Sequence, residues 1–287
     1  MTYYTQLSET NQRKVDELAD LMRGKTTAIV AGAGMSTDSG IPDYRGTGSA
    51  GGQTVDYDLF MSHEKWQRWV WQRNQETWKT VAGLSPTPGH KAVAALQRAG
   101  LVNGIATQNV DGLDARAGIQ NPALLHGTFD TVDCTRCDAQ YSRAEVDTWL
   151  RELNPDTVDD PDPANVAILA KVDEEAANAS TFNTAPCPKC GGVLKPSVVF
   201  FGEMLPAEAM SLAFKYAGEA DVILVVGSSL LVATGLWVVR EGLQNPATKL
   251  AVINRGATQV DAYANVRIEG GSSETLMALA ERLGVEV

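Results

Sequence analysis

Four cysteines form two Cys-x-x-Cys pairs, Cys134 with Cys137 and Cys187 with Cys190, with 49 residues between the pairs. Each pair offers two thiolates at the spacing of a zinc knuckle, suited to tetrahedral Zn–S bonds of about 2.3 Å. Because four thiolates leave no position for water or substrate, the pattern predicts one structural Zn²⁺ per chain rather than a catalytic metal. A redox dithiol and cysteines that only pack in the core are the alternatives.

A glycine turn follows the first apolar run, in AGAGMSTDSGIPDYR (residues 31–45). The backbone N–H groups of such a turn can bind a pyrophosphate. Gly32 and Gly34 fit the fingerprint G-x-G-x-x-G, but Thr37 stands at the third position, and Pro42 would not be tolerated inside a standard Rossmann helix. The turn therefore indicates phosphate binding but argues against a standard hydride-transfer enzyme. A purely structural turn is the alternative.

Histidine is rare in this chain, which makes each of the three informative. His63 lies in a polar stretch and is expected at the surface, and His90 begins a helix, where capping or packing is the expected role. His126, in LLHGTF, follows an apolar strand and precedes a glycine. Strand ends are where α/β proteins build their sites, so His126 is a candidate catalytic residue, with a structural role left open.

Polar residues also follow three other predicted strands. Gln108, Asn109 and Asp111, in QNVDGL, suit recognition of a carboxamide or a ribose, with a capped turn as the alternative. The stretch GSS (227–229) is a second candidate phosphate or ribose turn, and INR (253–255) has donors and acceptors suited to adenosine.

Charge and composition narrow the possible partners. The 287 residues carry 24 Lys and Arg against 35 Asp and Glu, a net charge of −11. This argues against direct binding to nucleic acid or to an anionic membrane. A solvated acidic surface is the simplest interpretation, and a basic peptide partner is compatible with it. No export signal is visible in MTYYTQLSET, so a cytoplasmic location is expected.

Strand and helix patterns alternate at both ends of the chain. Residues 8–23 and 273–283 read as helices, the first with Ser8 as a possible cap, and 26–31, 101–107, 221–227 and 249–254 read as buried strands. The uncharged run 222–239 is broken by Gly227 and Gly235, so a strand, a turn and a helix fit better than a membrane span.

This alternation predicts an α/β protein with a doubly wound, Rossmann-like parallel sheet and an inserted small zinc-binding and helical module. The predicted Rossmann-like domain comprises residues 1–46, 84–130 and 192–287. The small domain comprises a tryptophan-rich helical module, 47–83, and a zinc-binding module, 131–191.

The order of these motifs resembles that of the sirtuins, the NAD-dependent protein deacylases. GAGMSTDSGIPDYR, TQNVDGL, LHGTF, the cysteine pairs, KPSVVFFGE, VVGSSL and INR follow one another in the family's order over roughly residues 25–270. The wording of STDSGIPDYR, the WQRN segment and the long insertion between the cysteine pairs look most like the branch that includes the mitochondrial lipoamidase-type sirtuins.

The resemblance implies a site residue by residue. It places Gly32, Ala33 and Gly34 at the pyrophosphate, Ser36, Asn109 and Asp111 around the nicotinamide, and Asp43, Tyr44 and Arg45 on a mobile loop. It places Gly227, Ser228, Ser229, Asn254 and Arg255 at the adenosine half, with Thr37, Gln108 and Val110 as further cofactor-binding residues. VFFGE (Val199, Phe200, Phe201, Gly202, Glu203) would pair with an extended acyl-lysine peptide as a strand lining a tunnel.

The chemistry implied by the family consumes NAD as a co-substrate. The acyl oxygen attacks the ribose C1′ as nicotinamide leaves, and His126 acts as general base on a ribose hydroxyl, with Asn109 as the second catalytic residue. The products are lysine and acyl-ADP-ribose. An NAD-dependent ADP-ribosyltransferase or glycohydrolase, a lipoamidase, and a zinc-ribbon binding module without catalysis remain as alternatives.

The acyl group is addressed by one helical stretch, WVWQRN. Sirtuins that remove succinyl groups carry a Tyr-x-x-Arg pair, and Trp69 and Gln72 stand at the places matched here. Arg73 is one residue late, which on a helix is a rotation of about 100°. We therefore expect weak desuccinylation and a preference for a neutral acyl group, although Arg68 or Arg73 would be the partner in another register.

Overall fold

The structure is a computed structural model that describes residues 2–42, 53–166 and 170–287. The helices are α1 (Tyr3–Gln6), α2 (Glu9–Met22), α3 (Tyr57–Ser62), α4 (Glu64–Gly83), α5 (Pro88–Arg98), α6 (Leu113–Arg116), α7 (Arg143–Leu153), α8 (Glu174–Ala179), α9 (Ala207–Gly218), α10 (Ala233–Gly242) and α11 (Ser272–Leu283). The strands are β1 (Thr27–Ala31), β2 (Val102–Thr107), β3 (Ala123–Leu124), β4 (Gly127–Cys134), β5 (Gln140–Ser142), β6 (Leu194–Val198), β7 (Val222–Val226), β8 (Lys249–Asn254) and β9 (Val266–Glu269).

A six-stranded parallel sheet in the order β3-β2-β1-β7-β8-β9 forms the larger part of the molecule. Numbered within the sheet this is the order 3-2-1-4-5-6 of a doubly wound fold. The order reverses between β1 and β7, and ligands of such folds bind outside the carboxyl ends of the strands at that point. The predicted fold class is confirmed.

Alternate residues of the sheet strands enter two separate apolar layers. On β1, Ile29 and Ala31 pack with residues of α2, α5 and α11, whereas Ala28 and Val30 pack with residues of α9 and α10. Because successive side chains of a strand point to opposite faces, a strand covered on both sides must be apolar throughout. All five residues of β7, VILVV, are buried for this reason.

Local signals set the helix starts as the sequence predicts. Ser8 caps α2, since its side chain accepts a hydrogen bond from the N–H of Asn11. Thr87 caps α5 and precedes Pro88 at the first helical position, where the missing N–H costs nothing. The run 222–239 divides into β7, a turn and α10, and no helix of the described residues is long and apolar enough to cross a membrane.

A three-stranded antiparallel sheet, in the order β5-β4-β6, forms a second layer with α4 and α7 packed nearby. The strand Leu194–Val198 belongs to this small sheet, although the predicted boundary at residue 192 assigned it to the large domain. It pairs with β4, whose residues Gly127 to Cys134 lie opposite it. The cysteine pairs lie at one end of this sheet.

Candidate active site

Two glycine turns meet at the carboxyl ends of β1 and β7. The N–H of Gly34 donates to the carbonyl of Gly227 at 2.9 Å. A Cβ on Gly34 would lie 2.8 Å from Gly227 Cα. Gly227 has φ +60°, and a Cβ there would lie only 2.5 Å from the Gly34 carbonyl carbon. Both positions therefore require glycine because the two backbones touch. This contact brings the candidate pyrophosphate turn (32–34) against the candidate adenosine turn (227–229).

The chain after the first turn does not continue as an α-helix. Ala33–Met35 and Thr37–Ser39 are short 3₁₀ turns, and Gly40, with φ +100°, ends the second. Thr37 donates from its hydroxyl to the Gly34 carbonyl at 3.3 Å. The predicted departure from a Rossmann helix is therefore seen in the structure. Asp43, Tyr44 and Arg45 lie outside the described residues.

Three of the predicted nicotinamide residues form one hydrogen-bonded cluster. Ser36 Oγ donates to Asp111 Oδ2 at 2.7 Å, and Asn109 Nδ2 donates to Ser36 Oγ at 3.1 Å and to the Gly32 carbonyl at 3.0 Å. Asp111 also accepts from the Leu113 N–H at 2.9 Å. Ser36 and Asp111 are almost fully buried, so the cluster is a fixed polar wall beside the glycine turn. Val110, between Asn109 and Asp111, is buried and its carbonyl accepts from the Phe129 N–H.

His126 lies between the large and the small sheet. The residue before it, Leu125, donates its N–H to Thr107 at the end of β2, whereas the His126 carbonyl accepts from the Val199 N–H at the end of β6. The imidazole Nδ1 lies 3.0 Å from the Gln108 carbonyl oxygen, and Nε2 lies 2.8 Å from Thr234 Oγ1. Burial lowers the pKa of His126, and the bond to the Gln108 backbone opposes this only in part. The ring is therefore neutral near pH 7, as a general base must be.

The other histidines do not join this site. His63 is exposed and caps α4, where its Nδ1 accepts from the Lys65 N–H. His90 is fully buried at the start of α5, with Nδ1 bonded to Thr87. Both match the surface and capping roles predicted from sequence.

The candidate adenosine residues follow β8. Asn254 Nδ2 donates to the carbonyls of Arg255 and Gly256 at 3.0 and 2.9 Å, and Arg255 Nη2 lies 3.5 Å from Glu274 Oε1. Ser229, on the neighbouring turn, accepts through its carbonyl from the Gln259 N–H. The strand order places this loop beside the β7 turn.

The VFFGE stretch is a turn, not the strand expected from its apolar residues. β6 ends at Val198, Gly202 has φ +82°, and the Glu203 N–H donates to the Phe200 carbonyl at 3.1 Å. Phe200 is buried and Phe201 is 50% exposed. The turn is held by Glu203, which accepts from the Phe200 N–H at 2.9 Å and pairs with the buried Lys195 at 3.1 Å.

A cluster of apolar side chains lies behind this turn. It is formed by Val55, Phe60, Trp66, Val70, Trp78, Val81, Val110, Phe129, Ala170, Ala177, Val198 and Phe200. Trp69 and Gln72, matched to the acid-binding pair of desuccinylases, point to other partners. The Trp69 indole N–H donates to the Lys171 carbonyl, and Gln72 bonds Glu76 and Ser180. Arg73 pairs with Glu76 on its own helix.

The four cysteines form the candidate metal centre. Their Sγ atoms all lie within 4.8 Å of one another, with 3.5 Å between Cys134 and Cys190 and 3.9 Å between Cys137 and Cys187. A tetrahedron of sulfurs around zinc has edges of about 3.8 Å, since the Zn–S bond is about 2.3 Å. Backbone N–H groups of Arg136 and Gly192 point at Cys134 and Cys190 Sγ, both at 3.4 Å, as thiolates require. The donor set therefore fits a structural Zn²⁺.

Comparisons with known proteins identify the family of this chain. The Sir2 family model matches residues 32–234. The chain belongs to the Sir2 family. An NAD-dependent protein deacetylase 1 from Mycobacterium avium (strain 104) is 37% identical over 268 residues, which cover 93% of this chain and 95% of that protein. The NAD-dependent protein deacylase SIR4 of Batrachochytrium dendrobatidis is 35% identical, with 90% of each protein covered.

Solved sirtuin structures share the fold. A Sir2–p53 peptide–NAD⁺ complex matches with a TM-score of 0.73 at 29% identity, covering 93% of this chain and 98% of that one. Sir2Tm bound to a propionylated peptide matches with a TM-score of 0.74 at 27% identity, covering 95% and 100%. The first complex holds a p53 peptide and NAD⁺, and the second holds a propionylated peptide.

Three buried polar residues, two in this site and one beside the separate His90, were not singled out in the sequence for these roles. Thr234 bonds the His126 ring, Lys195 holds the VFFGE turn, and Asp114 lies beside His90. Lys195 gives a weak signal as the single charge in GGVLKPSVVFF, and the other two give none.

Proposed function

We propose that this chain removes acyl groups from lysine side chains of proteins with NAD as co-substrate. Acyl-lysine, NAD and water give lysine, nicotinamide and acyl-ADP-ribose. The observation that carries the proposal is that the His126 imidazole bonds the carbonyl of Gln108, which directly precedes Asn109 of the Ser36–Asn109–Asp111 cluster, at the carboxyl ends of the sheet strands.

The roles of the residues follow from their positions. The backbone of the turn 32–34 is suited to the pyrophosphate, because its N–H groups and small side chains allow close approach. The polar wall of Ser36, Asn109 and Asp111 would hold the nicotinamide carboxamide. His126 Nε2 would accept the proton of a ribose hydroxyl, and that hydroxyl oxygen would then attack the acyl carbon.

The peptide would lie along the Val199–Glu203 turn, with its lysine stem pointing into the apolar cluster that contains Phe200. Because this cluster is apolar and Arg73 is already paired with Glu76, we infer a preference for neutral acyl groups. The narrower likeness to the lipoamidase-type branch has no support in the named relatives, which are deacetylases from bacteria and deacylases from Batrachochytrium and Monosiga. Lipoyl therefore enters only as one neutral acyl group among others.

We propose the division into an NAD-binding domain (1–46, 84–130 and 192–287) and a small domain (47–83 and 131–191) with one change. The last boundary moves from residue 192 to beyond Val198, because β6 pairs with β4. The structural zinc would hold the far end of this small domain. The cytoplasmic location expected from the sequence stays a prediction.

The test is nicotinamide release from NAD with and without an acetyl-lysine peptide. A deacylase requires the peptide, whereas release without it would favour a glycohydrolase or an ADP-ribosyltransferase. His126→Ala should lose about 10²- to 10⁴-fold in turnover, the usual scale for a general base, and should keep its affinity for NAD. His63→Ala, at an exposed helix cap, is the matched control. Near-normal deacylation by His126→Ala would contradict the assignment.

A further inference from the structure

The His126 ring is held at both nitrogens, and the two contacts differ in what they require. The partner of Nδ1 is the backbone carbonyl of Gln108, at 3.0 Å. A carbonyl oxygen only accepts, so Nδ1 must carry the ring hydrogen. In the neutral ring Nε2 then has a lone pair, and it faces Thr234 Oγ1 at 2.8 Å.

The direction of the Thr234 hydroxyl is set by the Gln108 side chain. Its amide nitrogen lies 3.3 Å from the Val232 carbonyl, a pure acceptor, which identifies it as the donor end. The same nitrogen donates to Thr234 Oγ1 at 3.2 Å, and the amide oxygen accepts from Ser228 Oγ at 2.8 Å. With a donor already directed at Oγ1, the Thr234 hydrogen is free to point at His126 Nε2.

The elements around this chain of bonds keep it in place. Thr234 is 6% exposed and lies in the first turn of α10. The loop leading to it contains Leu230, which has φ +57°, a conformation that a residue with a branched side chain adopts only when its surroundings impose it. A Cβ at Gly235 would lie 3.0 Å from the Gln108 amide carbon, so the glycine lets the amide approach the helix.

We propose that Thr234 is a positioning residue for His126, and that the chain Ser228–Gln108–Thr234 fixes the imidazole, through its acceptor nitrogen, before substrate binds. This inference rests on the proposed deacylase function. The ring has one bond to a backbone carbonyl, which sets the tautomer, and one to Thr234, which prevents rotation of the ring. Because Nε2 has a single lone pair, a ribose hydroxyl must displace the threonine hydroxyl there, which needs no change of tautomer. Thr234 therefore sets the position of the ring before the proton transfer and takes no part in the transfer itself.

The variant Thr234→Val keeps the shape of the side chain and removes the hydroxyl, and with it the bonds to His126 and to the Gln108 amide. Deacylation kcat should fall about 10- to 100-fold, the scale for a misplaced catalytic group. Nicotinamide exchange precedes the step that needs the base, so its rate should stay within about twofold. A partial loss of folding would lower both rates together and would not give this separation. Thr234→Ser should restore most of the deacylation.

Thr248→Val is the matched control. Thr248 is 7% exposed, and its hydroxyl donates to the Ala220 carbonyl, outside the candidate site. It measures what the loss of a buried threonine hydroxyl costs in general. If Thr234→Val deacylates as well as Thr248→Val, or if Thr234→Ser fails to restore the rate, the positioning role is wrong while the deacylase function stands.

A second readout does not depend on activity. With ¹⁵N-labelled histidine the three imidazole rings each give an Nδ1 and an Nε2 resonance, and His126→Ala assigns the pair that belongs to His126. In Thr234→Val the Nε2 resonance of His126 should move toward the value of a nitrogen without a hydrogen-bond donor, and in Thr248→Val it should not move. An unchanged Nε2 resonance would overturn the proposal even if the wild-type protein proved to have no deacylase activity.

Discussion

His90 and Asp114 form a buried pair. Removing one member or the other should give opposite pH dependences of the free energy of unfolding. His90 Nε2 lies 3.9 Å from Asp114 Oδ1, and within the described residues neither atom has a hydrogen-bond partner. The Thr87 N–H donates to His90 Nδ1, so the ring hydrogen is on Nε2 and faces the carboxyl group. Burial lowers the pKa of His90 to about 4. Burial and the charge of Asp111 raise the pKa of Asp114 to about 7.

In the wild-type protein these two shifts offset each other. Between about pH 4 and 6.5 the folded pair is a neutral imidazole beside a protonated carboxyl, whereas the unfolded chain has an imidazolium and a carboxylate. Each state binds one proton, so the pair adds no pH dependence to the free energy of unfolding in this range.

Each single substitution leaves one member of the pair, whose pH dependence is then no longer offset by the other. In Asp114→Asn only the histidine remains, and the unfolded state binds the extra proton, so stability rises with pH up to about 6.5. In His90→Gln only the aspartate remains. Its folded pKa is the higher one, so its contribution is fully present below about pH 4 and is lost as the pH rises to about 7. The slopes are about +1.4 and −1.4 kcal/mol per pH unit, or about 2 kcal/mol each way from pH 5 to 6.5.

The measurement is urea unfolding of both variants at several pH values, with the wild-type free energy subtracted at each one. The subtraction removes contributions common to all three proteins, including loss of metal by the cysteines at low pH. The two differences should change with pH in opposite directions and by similar amounts. Parallel curves, or a flat curve for Asp114→Asn, would refute the proton placement.

Four further outcomes follow from the structure. Cys187→Ser, or chelation, should remove about one zinc per chain and unfold the small sheet, as metal analysis and circular dichroism would show; a folded, active, metal-free protein would rule out a structural zinc. Lys195→Met should raise the peptide KM about tenfold with the NAD KM unchanged, Lys195→Arg should restore it, and equal changes in both constants would contradict its role in holding the VFFGE turn. Gly34→Ala should weaken NAD binding about tenfold or more by titration, since its Cβ would lie 2.8 Å from the facing backbone; unchanged affinity would show that the turn is only structural. On one peptide carrying acetyl, succinyl, methylglutaryl or lipoyl groups, kcat/KM should be lowest for the acids; a tenfold preference for succinyl that Arg73→Met abolishes would refute this.

The large sheet could be predicted from the sequence because its strands are covered on both faces. A strand such as Val222–Val226 must then be apolar at every position, and that pattern is visible without knowledge of its neighbours. The candidate zinc ligands were equally predictable from the sequence, since the two cysteines of each Cys-x-x-Cys pair are close together in the chain. The pairing of Leu194–Val198 was not predictable, because the residues of one strand do not show which sheet it joins.

The side chains that sequence reasoning missed have partners far along the chain. Thr234 and His126 are 108 positions apart in the sequence. No neighbouring residue of Thr234 indicates that its hydroxyl belongs to the candidate site rather than to the start of a helix. The VFFGE stretch failed for the opposite reason. Its apolar residues suggested a strand, but Gly202 and the bonds of Glu203 impose a turn, so Phe200 is buried and Phe201 is half exposed.

The position of His126 depends on the glycine that follows it, Gly127. The following residue, Gly127, has φ +74°, and a Cβ there would lie 1.8 Å from the Ser197 carbonyl oxygen. That close contact brings the start of β4 against β6, while the preceding residue, Leu125, remains bonded to the large sheet. Because His126 lies between these two attachments, its ring bonds Gln108 and Thr234 on the side of the large sheet, and its backbone carbonyl accepts from Val199 in the turn proposed to bind the peptide. The fold therefore places the proposed base between the large sheet, which carries the candidate NAD turns, and the candidate peptide turn.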